Sequence, residues 1–169
     1  MEKRKTWHDL LPALLAILVT LVTPYLLPMG LRSIAPPLGL SVIFYFRSRV
    51  PFMNVAVWIA LLSGLLLDVI QAMPVGVGIS AALLLYWLAR PREERDEDRS
   101  FARNLLRFTW VSPIIMGWIY LLMSMVQGQF FPMTLPIFQW LAMVASYPLI
   151  YAFCHAIHQM MLQSKRYSL

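Results

Sequence analysis

Residues 56–78 read AVWIALLSGLLLDVIQAMPVGVG, and no other stretch restricts the fold as strongly. The run is apolar enough that only a membrane interior suits it, yet Asp68 sits near its far end. Of the 8 acidic residues in the chain, Asp68 alone falls within a predicted span. Holding a charge at such a position costs about 2.5–3.5 kcal/mol, which a partner, trapped water or protonation must offset. Counting back by fours from Asp68 gives Gly64, Ala60 and Ala56, all on one helical face. A row of small residues lets a second helix approach closely. The stretch therefore reads as a packing seam that ends in a polar group.

The remaining sequence repeats the apolar theme. Hydrophobic residues make up 60% of the 169 positions and charged residues 13%, against roughly 45–50% and 25% in soluble domains. Blocks of this kind predict an all-α, polytopic integral membrane protein forming a single transmembrane domain. Six spans are expected, at about 10–27, 34–46, 52–70, 75–89, 105–126 and 134–161. Pro36 and Pro37 open the second and Pro51 precedes the third. Pro113 and Pro148 fall inside the fifth and sixth, as kink positions. A charged loop, 90–104, separates the fourth span from the fifth. The first apolar segment lacks a small-residue cleavage site, so it is expected to stay as an anchor. The single cysteine, Cys154, excludes an internal disulfide.

Charge placement orients these spans. With both termini in the cytoplasm, 13 of the 14 basic residues lie inside and only Arg32 lies outside. Removing the short second span would put the later basic loops on the wrong side, so parity favours six. The positive-inside rule also accounts for the net charge of +6 without any nucleic-acid partner. Asp68 then lies near the outer face, where Arg32 is the one basic residue available for an ion pair.

Few residues suggest chemistry. His155 and His158 lie three apart beside Cys154, but two histidines make a poor metal site, and interfacial packing is the better reading. Arg99, Arg103 and Arg107 step by four and form a basic stripe suited to anionic lipid headgroups or a cytoplasmic partner. The acidic run through Glu93, Glu94, Asp96, Glu97 and Asp98 reads as solvated and self-paired. No phosphate loop, paired intramembrane carboxylates or activated nucleophile is present, so neither catalysis nor a cofactor is expected.

Proline-led LGLSVIFYF, Pro51, the Gly64-Leu-Leu-Leu-Asp68 segment and Gly76 occur in an order and spacing that resembles the MreD family of bacterial rod shape-determining membrane proteins. The likeness covers about residues 35–90, and Gly64, Asp68 and Gly76 match the family pattern. It implies a non-catalytic inner-membrane subunit of the cell-elongation machinery that supports lateral peptidoglycan synthesis. It also implies association with MreC, and through it with RodA, its penicillin-binding transpeptidase and MreB. The implied fold is similar to the membrane subunits of energy-coupling-factor vitamin transporters. The loop 90–104 is longer and more acidic than the family leads one to expect. On this reading MreC's helix packs along Ala56, Ala60 and Gly64, with Asp68 at the outer rim. The rival is a vitamin-binding transporter subunit, which needs polar outer loops that this sequence lacks. A lipid carrier is a third reading and requires a long apolar groove.

Overall fold

A computed structural model of the chain describes residues 14–23, 35–49, 56–90, 101–130 and 132–166. Among these the structure is helical throughout, with no strand. The helices are α1 (Leu14–Thr23), α2 (Leu38–Arg49), α3 (Ala56–Ile70), α4 (Val77–Leu88), α5 (Phe101–Gln127) and α6 (Thr134–Arg166).

Helix α2 sits at the centre. Leu40 and every residue from Ser41 to Phe46 are buried, so it is apolar and covered on all sides. It packs against α3, α4 and α6. Gly39 lies directly against Thr20 of α1, leaving no room for a Cβ. Phe44 meets Phe108 of α5 edge-on at 5.1 Å, and Phe108 stacks on Tyr147 of α6 at 4.1 Å. Tyr45 adds an edge contact to Tyr151 of α6 at 5.2 Å. This aromatic cluster joins the central helix to both long ones.

The element boundaries follow local chemistry. Helix α2 was expected at 34–46; it begins at Leu38, after Pro36 and Pro37, and continues through Arg47 to Arg49. Arg47 places its guanidinium 4.4 Å from the Tyr86 ring centroid. Helix α4 starts at Val77 because Gly76 takes a left-handed φ of 109°. Helix α5 begins at Phe101, inside the stretch expected to be loop. The loop's residues 91–100 lie outside the described residues, as do 10–13, 24–27, 34 and 52–55 of the expected spans.

Lengths divide the helices into two groups. Helices α2, α3 and α4 have 12, 15 and 12 residues, roughly 18–22 Å at 1.5 Å per residue. Two segments, Phe101–Gln127 and Thr134–Met160, are long and apolar enough to cross a membrane. Only 33% and 22% of their most apolar windows are buried within the protein, so most of that apolar surface faces outward.

Candidate functional site

Helix α3 ends in a Schellman motif. The Met73 N–H donates to the Asp68 carbonyl at 2.9 Å and the Ala72 N–H to the Val69 carbonyl at 3.4 Å. Ala72 occupies the left-handed position with φ 50°, where glycine is usual. The chain then turns through Pro74 to Gly76 and enters α4 antiparallel to α3.

At the start of α4 several backbone N–H groups have no intrahelical acceptor. The residue at the helix boundary is Gly76, which has no side chain to offer them. Asp68 does this work from the preceding helix. Its Oδ2 accepts from the Gly76 N–H at 2.8 Å and its Oδ1 from the Gly78 N–H at 2.5 Å. One carboxylate thus satisfies the N-cap and N2 donors from outside the helix, at the positive end of the α4 dipole. Asp68 is 1% exposed, which makes these two donors its environment.

The far end of α4 is treated in the opposite sense. Arg107 of α5 donates from Nη2 to the Leu88 carbonyl at 3.0 Å and to the Arg90 carbonyl at 2.6 Å. A cation at the carbonyl end and a carboxylate at the N–H end both complement the macrodipole. The 12-residue α4 is therefore capped at each end by a charged side chain from a neighbouring helix.

The small-residue row closes on α4. A Cβ added to Gly64 would lie 2.6 Å from the Gly78 carbonyl oxygen and 2.6 Å from Ile79 Cα. A Cβ on Gly78 would in turn meet the Gly64 carbonyl oxygen and Asp68 Oδ1 at 2.5 and 2.7 Å. One turn away on each helix, Ala60 and Ala82 are fully buried. The seam is an intramolecular small-xxx-small joint. The face expected to receive a partner's helix is occupied by the chain's own α4, and the expected rim group, Asp68, is already bonded. Ala56 begins α3, and its side chain is outside the described ones. Arg32, the expected ion-pair partner of Asp68, also lies outside the described residues.

The basic stripe is only partly a surface feature. Arg103 is exposed on the first turn of α5 and Arg107 reaches across to α4, while Arg99 is outside the described residues. His155 Nδ1 lies 3.4 Å from the Tyr45 hydroxyl, and its ring stacks on Tyr151 at 5.9 Å. Cys154 is buried beside it. Among the described residues no three potential ligands gather into a metal site.

Two residues of the joint carried little signal in the sequence. Gly78 was visible only as a second glycine two positions after Gly76, and Arg107 as one member of a basic stripe. Both act through backbone groups, which no residue pattern reveals directly. Comparison with family models, with curated proteins and with solved structures finds no match to this chain.

Proposed function

We propose that the chain is a six-span bacterial inner-membrane protein with both termini in the cytoplasm. Its role is that of a non-catalytic subunit of the cell-elongation complex, binding MreC and through it RodA, the associated transpeptidase and MreB. The observation that carries this reading is the joint itself. Asp68 bonds the Gly76 N–H and Gly64 packs against α4 at Gly78, so the three positions that match the MreD pattern all lie in the one α3–α4 hairpin.

Membrane residence is supported by the outer surface of α5. Leu106, Trp110, Ile114 and Trp118 form an exposed apolar stripe along it. A stripe of this extent is a liability in water and ordinary against lipid. The short helices α2 to α4 fit the same picture, because flanking segments and local thinning can make up the remaining bilayer thickness. With α4 seated in the seam, MreC's helix meets the bundle on another face.

Affinity purification of the tagged chain from native membranes in mild detergent tests the assignment. Retention of MreC or the RodA synthase is the expected result. Retention of an ATPase module with its coupling subunit would replace this reading with a vitamin transporter. Topology is checked separately by introducing single cysteines at positions 3 and 95, which should be labelled only from the cytoplasmic side.

A further inference from the structure

Helices α5 and α6 meet through aromatic rings at one end and separate at the other. Between their separated halves lies a cavity of about 500 Å³, walled by residues that include Met116, Gly117, Leu121, Ile137 and Trp140. Ser124 also lines it, and the Ser124 hydroxyl is buried without a hydrogen-bond partner. A second cavity of about 320 Å³ shares the walls Met116, Tyr120 and Pro136. Its lining adds two amides, Gln71 and Gln139, and no charged side chain.

The size decides between occupants. The α5 walls run from Pro113 to Met125, about 18 Å at 1.5 Å per residue, so the groove is shorter than the roughly 30 Å a spanning helix would need. A hydrocarbon chain fits, since it is narrow and flexible. Methionine-rich walls adapt to such a chain. The groove is open at its side, with Leu121 and Ile137 about half exposed, and an apolar groove between two outward-facing helices admits hydrocarbon before water.

We infer that the space between α5 and α6 binds one acyl chain of a membrane phospholipid. The Ser124 hydroxyl donates to an ester carbonyl, and a head without net charge lies toward Gln71 and Gln139. This inference rests on the membrane part of the proposed function and is independent of the identity of the protein partner.

The test uses the full chain reconstituted in vesicles of phosphatidylethanolamine and phosphatidylglycerol. A trace of phosphatidylethanolamine carries a photoactivatable diazirine in one acyl chain. After irradiation, adducts are mapped by mass spectrometry. Labelling should concentrate on the cavity walls and fall at least fivefold in Gly117→Leu. That substitution enters open space, since a Cβ at Gly117 meets nothing within 4 Å. Folding of the variant is checked by the protection of Cys154 from a thiol reagent. If Gly117→Leu exposes Cys154, Leu121→Trp fills the same space from the neighbouring turn and should give the same fall. Adducts spread evenly over the outer stripe and the walls would mean annular lipid only and would overturn the site. Unchanged wall labelling in a folded filling variant would overturn it too. An equal yield from a phosphatidylglycerol probe would overturn the uncharged-head assignment. Extraction of the chain from the vesicles by alkaline carbonate would instead strike at membrane residence itself.

Discussion

The α3–α4 hairpin closes on glycines and alanines, with a backbone-to-backbone approach at Gly64 and Gly78. The α5–α6 pair is built from bulky side chains, and each of its helices contains a proline, Pro113 and Pro148. The first pair leaves no space for a methyl group at its crossing, whereas the second leaves an open groove of about 500 Å³. Both are antiparallel and apolar, so hydrophobicity does not separate them. Side-chain volume at the crossing does. In a membrane, where lipid is as apolar as the protein, close packing and satisfied backbone groups hold helices together. On that measure the hairpin is the more closely packed part of the molecule and the long pair the looser one.

Placing the same substitution in each pair gives the sharpest contrast. Gly64→Leu should force α3 and α4 apart and remove most of the folded population. Cys154 is the single cysteine and is buried, so its reaction rate with a thiol-reactive fluorophore reports opening of the core. The rate should rise toward that of the denatured chain for Gly64→Leu and stay near the native rate for Gly117→Leu. Similar rates in the two variants would erase the distinction between the pairs.

The cap on α4 comes next in size. Asp68→Leu leaves the Gly76 and Gly78 N–H groups without an acceptor, at about 1–3 kcal/mol for the buried Gly78 donor and less for the part-buried Gly76. Asp68→Asn keeps one acceptor oxygen and should lose about half as much, read as the shift in thermal unfolding midpoint in detergent. Equal losses would show that the charge on the helix dipole, rather than the hydrogen bonds, dominates. At the other end of α4, Arg107→Met should cost about 1.5–3 kcal/mol, the usual worth of a hydrogen bond to a charged donor. If it costs nothing, the two-ended capping of this short helix is not a stabilising feature.

Within the long pair, one polar tie is the Trp140 indole N–H donating to the Ser112 hydroxyl at 3.0 Å. Trp140→Phe should cost about 0.5–1.5 kcal/mol, less than either change at α4. The smallest effect has the opposite sign. Ala72 adopts φ 50°, so Ala72→Gly should stabilise the hairpin by up to about 1 kcal/mol. A fall in the unfolding midpoint would mean that the turn draws its stability from the alanine side chain.

Hydropathy was enough to show the helical class. Residue spacing also marked Gly64 and Asp68 as a joint, because a carboxylate in an apolar helix and a small residue one turn before it both call for a close neighbour. It did not show which neighbour. The acceptors and donors that complete the site are the Gly76 and Gly78 N–H groups and the Leu88 and Arg90 carbonyls. Backbone groups are carried by nearly every residue, so no sequence pattern distinguishes the ones that are used. The cavity between α5 and α6 was hidden for a related reason. Its volume depends on how far two helices diverge beyond their aromatic contact, and that is a property of the packed bundle. Composition decided that this chain is a set of apolar helices, while the packed structure turned Asp68 from an expected partner contact into the cap of its own next helix.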